Sequence, residues 1–329
     1  MDLPTVWFVA IAVLWTGYFV LEGFDFGVGI LLPVLGRDDA DRRVMINAIG
    51  PVWDGNEVWL ITAIGAMFAA FPAWYAATLS GFYLPILLII LALIGRGVAF
   101  EYRGKVDDPR WRARWDVAIL AGSAVPAFAW GVVFGNIVRG VELGADGVVT
   151  SGLTDLLNSY ALIGGLATLA LFTLHGAVFL GLKTDGPVRH RARAIARTAG
   201  PVALAAVAGF LFWTEAEHGG PWAAAAVAVA ALLAGTVLAA RRREGWAFVA
   251  TAVAIAAFTV TLFGSLFPAV LPSLTSPAFD LTIANGASGP YTLGVLSWIG
   301  AAFLPLVIAY QAWSYWVFRK RVTREHVAS

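Results

Sequence analysis

The sequence predicts an all-α, polytopic membrane protein with about nine transmembrane helices, and three observations carry that reading. Of the 329 residues, 60% are hydrophobic and only 13% charged, where a soluble domain carries roughly 25% charged residues. The apolar residues come in blocks of about twenty, the length that crosses a bilayer core of ~30 Å. Every Lys and Arg except Arg96 and Arg139 falls in alternate connecting segments or the C-terminal tail. Soluble domains would need polar residues to cover their outsides, so that class is excluded.

Apolar stretches bounded by charged or Gly/Pro-rich loops place the spans at about 5–24 with an extension to 35, then 54–71, 74–98, 115–138, 159–182, 199–215, 221–240, 246–266 and 291–318. The start, Met1-Asp2-Leu3-Pro4, lacks the basic n-region of a secretory signal, so the first stretch is expected to stay as a membrane helix. The short Phe71-Pro72-Ala73-Trp74 link predicts a tight hairpin between the second and third spans. No linker is long or polar enough to detach a soluble domain, so residues 1–329 read as one integral membrane domain without a strong internal repeat.

The basic residues test this scheme independently. They cluster in 36–53, 99–114, 183–198, Arg241 to Arg243 and the tail from Arg319 to Arg324. With nine spans, all of these fall on one side, and the other side receives only Arg139. By the positive-inside rule the N-terminus is outside and the C-terminus cytoplasmic. The remaining loops are acidic or neutral, with Glu142, Asp146 and Asp155 in 139–158 and Asp280 in 267–290.

Charged side chains at membrane depth cost at least ~2.5–3.5 kcal/mol near the centre, which makes them candidates for function. At ~1.5 Å per residue, Glu22 and Asp25 lie roughly 27 and 31 Å along the first span, Arg96 roughly 33 Å along the third and His175 roughly 24 Å along the fifth. Asp54 and Glu57 open the second span from the cytoplasmic side. Five ionisable groups and a histidine are thus expected at one level, in the cytoplasmic half. Neighbouring carboxylates disfavour ionising together, so one can hold a proton, the chemistry of a relay. The structural alternative is snorkelling to water, or a pair of Arg96 with Glu22 or Asp25 that holds helices together.

His175 is the one histidine inside a span; His190 and His326 fall in basic segments and His218 in an outer loop. The chain has no Cys, and its methionines are Met1, Met45 and Met67, so a second haem ligand is hard to find. His175 therefore reads as a hydrogen-bonded packing residue, and no metal site is expected. Trp7, Trp74, Trp111, Trp115, Trp222, Trp246 and Trp313 sit near span ends as interface anchors, while Trp53 and Trp59 flank the carboxylates. Gly23, Gly27 and Gly29 would let another helix approach closely. Topology accounts for the basic runs, and no nucleic acid is expected as a partner.

The run Glu22-Gly23-Phe24-Asp25-Phe26-Gly27-Val28-Gly29, and the longer run from Arg42 through Trp53-Asp54-Gly55-Asn56-Glu57-Val58-Trp59 to Ile61, resemble subunit II of the cytochrome bd quinol oxidases and the related cyanide-insensitive quinol oxidases. Phe82-Tyr83, Arg96 with Glu101-Tyr102-Arg103, His175-Gly176-Ala177 and Ala312-Trp313-Ser314-Tyr315-Trp316 extend the match along nearly the whole chain. The resemblance implies two four-helix bundles plus one peripheral helix. It also implies a heterodimeric terminal oxidase of the bacterial cell membrane that oxidises quinol and reduces dioxygen to water, with b-type and d-type haems held by subunit I.

Residue by residue, the resemblance makes Asp25 and Asp54 carriers of cytoplasmic protons, with Glu22 and Glu57 as further relay candidates. Arg96 is implicated in stable haem incorporation and Trp59 in oxygen access. Some relatives hold a quinone in this subunit, and a small single-span accessory subunit and membrane lipid are further expected partners. The competing class is a proton- or cation-coupled secondary transporter, in which Gly23, Gly27 and Gly29 would unwind the first span around Asp25.

Because the chain has no cysteine, sidedness can be read with single introduced thiols. A membrane-impermeant maleimide should label Ala145→Cys in intact cells and Lys105→Cys only after permeabilisation; the opposite pattern would invert the orientation.

Overall fold

The computed structural model describes residues 2–325; Met1 and residues 326–329, with His326 among them, lie outside the described residues. Helices dominate: α1 (Leu3–Leu35), α2 (Asp39–Ile49), α3 (Trp53–Ala70), α4 (Pro72–Gly81), α5 (Tyr83–Tyr102), α6 (Pro109–Arg139), α7 (Leu153–Leu156), α8 (Ser159–Lys183), α9 (Gly186–His218), α10 (Trp222–Ala240), α11 (Glu244–Leu266) and α12 (Pro290–Val317). A small antiparallel pair, β1 (Ala269–Leu271) and β2 (Leu281–Thr282), sits in the loop before α12.

Local chemistry sets the helix starts. Asp2, Asp38, Asp108 and Asp185 each cap a helix by accepting a backbone N–H within it, and Pro follows at N1 or N2 in α1, α6 and α9. At the head of α2, the Asp41 N–H lies 2.8 Å from Asp38; this bond first, and Arg324 after it, hold the Asp38 carboxyl below the usual carboxylate range.

Eight of the described helices are long and apolar enough to cross a membrane. The second expected span, 54–71, forms as α3, but it has only 18 residues and opens on Asp54, Asn56 and Glu57, so it is not among the eight. The expected hairpin break falls at Phe71. The third expected span divides at Phe82 into α4 and α5, because Pro85 has no N–H to continue a helix through that turn. Two expected loops are helical: α2 fills much of 36–53, with Val44, Met45, Ala48 and Ile49 on its buried side, and α9 starts inside the basic segment 183–198. Trp74 also departs from expectation. It is buried to 1% exposure against Phe8, Phe71 and Phe263, whereas Trp222, Trp246 and Trp313 are exposed as interface anchors would be.

The core lies around α1, which packs against α3, α6, α8 and α11. Helices α8 to α11 follow one another in contact, and α11 returns to α8; α5 packs on α6, and α12 lies outermost against α3 and α1. Glycines set the closest approaches. A Cβ on Gly27 would lie 2.1 Å from the Phe172 carbonyl oxygen and 2.7 Å from Gly176 Cα, and one on Gly29 would lie 2.0 Å from Ser123 Oγ. Gly23, Gly27 and Gly29 therefore serve approach, and α1 runs unbroken through Asp25, which removes the unwound helix that the transporter reading needs.

One end of the bundle is stitched by ions. Arg103 bonds Asp116 at 2.6 Å and Asp39 at 2.8 Å, and Arg42 bonds Asp116 at 2.7 Å. Arg191 and Arg324 meet on Asp41, and Arg193 meets Glu244. The basic segments thus gather at a single end. At the other end, Val141 donates its N–H to the Pro272 carbonyl at 3.1 Å, Ser288 Oγ donates to Ala69 at 2.7 Å, and Trp7 Nε1 donates to Ser297 Oγ at 3.1 Å.

Gly27→Ala should lower the thermal unfolding midpoint sharply or prevent folding, since the added methyl meets backbone that cannot yield and overpacking costs ~1–3 kcal/mol or more. Gly65→Ala, with nothing within 4 Å of its Cβ position, should leave the midpoint unchanged in the same detergent.

Candidate functional site

The helix faces bring the polar groups together. On α5, Ile86, Ile89, Leu93, Arg96 and Ala99 form one buried stripe, so the periodicity that buries the leucine also buries the arginine. On α1, Glu22 and Asp25 are three apart and share a face. On α3, Asn56, Leu60, Ala63 and Met67 point inward, with Glu57 at the margin.

Arg96 is the hub. Its Nη2 donates to Glu22 Oε1 and, at 2.5 Å, to Glu57 Oε1, so α1, α3 and α5 share one guanidinium. The Arg96 and Glu22 side chains are wholly buried, and that of Glu57 is 23% exposed. The guanidinium lies 4.7 Å from the Phe26 ring centroid, a cation–π contact, and a Cβ on Gly122 of α6 would lie 2.5 Å from Arg96 Cβ. Nε and Nη1 of Arg96 and Oε2 of Glu22 have no hydrogen-bond partner among the described residues.

A second branch leaves α1 at Asp25. Asn56 Nδ2 donates to Asp25 Oδ2 at 2.7 Å. Asn56 Oδ1 accepts from Tyr315 Oη at 2.8 Å and Gln311 Nε2 at 3.0 Å, and Gln311 Oε1 accepts from Trp59 Nε1 at 2.6 Å. The outermost helix, α12, is thereby tied to the carboxylate on the central one. Asp25 Oδ1 is buried and unpartnered. Asn56, Gln311 and Tyr315 were not anticipated from sequence. The signal for Gln311 was present, since it is the single Gln of the chain and stands four residues before Tyr315 in an apolar helix.

Four of the expected groups converge, and two do not. Asp54 is exposed, in a groove of about 290 Å³ between α3 and α5 that Glu57, Leu60, Leu93 and Ile94 also line. His175 lies on the α8 side of α1. Its Nδ1 is 2.7 Å from Thr251 Oγ1, its Nε2 is 3.2 Å from the Val20 carbonyl oxygen, and its ring stacks on Phe248 at 4.7 Å. Both ring nitrogens are therefore engaged within the chain, the geometry of a packing histidine. Among the described residues no group of three or more His, Cys, Asp or Glu is placed to hold a metal ion.

Fold and site together define a multi-pass helical membrane protein in which one buried arginine organises carboxylates from neighbouring helices. A family model for cytochrome bd terminal oxidase subunit II matches residues 3–318, and the chain belongs to that family. The cytochrome bd ubiquinol oxidase subunit 2 of Bacillus subtilis (strain 168) is 43% identical over 333 residues, covering 98% of each chain. The cytochrome bd-I ubiquinol oxidase subunit 2 of Escherichia coli (strain K12) is 36% identical over 366 residues, covering 99% of this chain and 96% of that one. A chain in the solved structure of the bd oxidase from Geobacillus thermodenitrificans shares the fold, with a TM-score of 0.77 and 20% identity over 96% of this chain and 99% of that chain. The protein is accordingly a multi-pass bacterial membrane protein.

Arg96→Gln strands two carboxylates, and breaking a buried pair costs ~3–5 kcal/mol. The variant should unfold at clearly lower temperature, and Glu22→Gln/Glu57→Gln/Arg96→Gln, which removes the stranded charges, should recover part of the loss.

Proposed function

We propose that this chain is the haem-free subunit II of a bd-type quinol:oxygen oxidoreductase. In this reading it braces the haem-bearing subunit I and supplies a cytoplasmic proton route for the reduction of dioxygen to water. Its helices would form two bundles, α1, α3, α5 and α6 beside α8 to α11, with α12 peripheral, the basic end cytoplasmic and the N-terminus outside. Family membership supports the oxidase part. The observation that carries the proton part is a set of three carboxyl groups, two on one guanidinium and the third on Asn56, with one oxygen of Glu22 and one of Asp25 unpartnered.

One guanidinium balances one carboxylate, and in a low-dielectric interior the excess negative charge is most simply met by protons. Asp25 Oδ1 and Glu22 Oε2 are the atoms that would hold them. Asn56 orients Asp25, so that the oxygen not bonded to the amide is the one available to a proton. Glu57 bridges from the buried set to the groove, and Asp54 stands beside it. Arg96 fixes Glu22 and Glu57 and so keeps the α1, α3 and α5 faces aligned. Dioxygen reduction consumes protons at the haems of subunit I; the haems supply the electron transfer, and this chain holds and passes protons toward them.

In the same reading, subunit I docks over this groove. Val58, Ile61, Leu84, Leu88, Leu91 and Ile94 make the surrounding α3 and α5 surface apolar. Glu57 opens partly onto that surface, and an acid facing acyl chains at depth would cost several kcal/mol (~2.5–3.5 or more). A protein partner over the groove removes that cost. Trp59 is tied to Gln311 at the other edge of α3, and its part in oxygen access rests on resemblance alone, as do a quinone in this chain and a single-span accessory subunit.

In the purified complex, Asp25→Asn should slow quinol-driven oxygen consumption at least several-fold while reduced b-type and d-type haem bands persist, and Asp25→Glu should restore part of the rate. Full activity of Asp25→Asn with normal haem spectra would remove the proton role. Absence of those bands from the complex purified with its native partners would remove the oxidase reading itself.

A further inference from the structure

The ion-stitched end is not uniformly paired. Arg42, Arg103, Arg112, Arg191, Arg193 and Arg324 each meet at least one carboxylate. Lys183, Arg319, Lys320 and Arg321 stand together without a carboxylate in salt-bridge contact among the described residues. The backbone brings them together, because Val322 donates its N–H to the Lys183 carbonyl at 2.9 Å and accepts from the Asp185 N–H at 3.2 Å. Main-chain carbonyls then hold the cations in place. Lys183 Nζ donates to the carbonyls of Phe318 and, at 2.9 Å, Lys320. Arg321 Nε donates to Leu182 at 3.1 Å, and Arg319 Nη1 donates to Trp316 at 2.6 Å.

These cations border a cavity of about 390 Å³ where α8 and α12 end and α11 begins, beside the turn between α2 and α3, within the ~300–1,000 Å³ of ligand sites. Its walls are apolar, with Phe179, Leu182 and Phe248 prominent, while Lys183, Arg319 and Arg321 stand at its edge. Lys183, Phe318 and Arg321 also line a second depression beside it, which reaches Lys320. An apolar slot with a rim of uncompensated cations, at the level where spanning helices end, has the two-part chemistry of one kind of ligand.

We propose that this cavity binds one anionic phospholipid of the leaflet at the basic end. Its phosphate would lie on Lys183, Arg319, Lys320 and Arg321, and an acyl chain would lie against Phe179, Leu182 and Phe248. The positive-inside bias explains why basic residues occupy this end. It does not explain why these four gather at the rim of an apolar cavity. Basic pockets between membrane helices are suited to anionic headgroups, whereas a neutral amphiphile would leave the cations unused. Tyr315, which reaches Asn56, forms part of the same wall, so the lipid would lie beside the Asp25 network. The proposal needs no part of the oxidase reading.

The test is native mass spectrometry of the purified complex, delipidated in detergent and then titrated with phosphatidylglycerol or phosphatidylcholine. Wild type should retain phosphatidylglycerol as a one-to-one adduct at least tenfold better than phosphatidylcholine. Lys183→Gln/Arg319→Gln/Arg321→Gln should lose that preference about tenfold, while Lys105→Gln/Arg110→Gln/Arg114→Gln, which removes equal charge from exposed positions, should keep it. Leu182→Trp, which narrows the slot and leaves every charge, should also weaken retention. Equal retention of the two lipids would overturn the proposal, as would equal losses in the two triple variants or retention of a neutral quinone in place of phospholipid. Competition by millimolar inorganic phosphate as strong as by phosphatidylglycerol would reduce the site to an anion site and overturn the lipid assignment.

Discussion

The architecture depends on the guanidinium of Arg96, which is wholly buried and shared by Glu22 and Glu57. An unpaired charge at that depth would be among the most unfavourable features a membrane protein can carry. The pairing makes the positions of α1, α3 and α5 interdependent. If α5 turned about its axis, the arginine would leave both acids at once, and the stripe of Ile86, Ile89 and Leu93 would leave the core with it. Apolar packing and ion pairing therefore select the same rotation of the helix.

Close approach is the second constraint, and it comes from the absence of side chains. Gly27 and Gly176 face one another across α1 and α8, Gly29 receives Ser123 from α6, and Gly122 receives the stem of Arg96. Within a bilayer, helix association relies on such van der Waals fit more than on solvent exclusion. The glycines around Asp25 thus belong to packing, and the carboxylate sits on a continuous helix that holds it rigidly. Rigid placement suits a relay, where the reach between neighbouring oxygens matters more than the freedom of either.

The polar branch from Asp25 through Asn56 to Gln311 and Tyr315 couples the centre of the molecule to its outermost helix. Only Leu293 of α12 is buried, so apolar burial within this chain holds it weakly, and its amide and phenol contacts carry a larger share of its placement. The tail after α12 then folds back along α8 through Lys183 and Val322. The C-terminal tail and the end of α8 meet there, beside Tyr315, which reaches Asn56.

Much of this was legible in the residues. Hydropathy placed most spans to within a few residues, although α9 starts well before its expected span and the third expected span breaks at Phe82, and the alternation of basic loops correctly sorted the segments that meet at the ionic end. Glu22, Asp25, Glu57 and Arg96 were legible as a cluster because intramembrane charge is costly enough to require partners. The helical segments α2 and α9 lay in stretches whose charge hid their periodicity, and the break at Phe82 followed from Pro85, a residue too easily absorbed into an apolar run. Asp54 and Glu57 differ by three residues, yet one faces the groove unpaired and the other meets Arg96. His175 shares their depth but not their side of α1. The Asn56 to Gln311 bond joins residues 255 positions apart. Span position and charge sidedness were determined by the sequence itself, because transfer to lipid acts on each segment as a unit. Partner choice was decided only by tertiary structure, because it depends on how each helix is rotated against its neighbours, and many residues packed at once set that rotation.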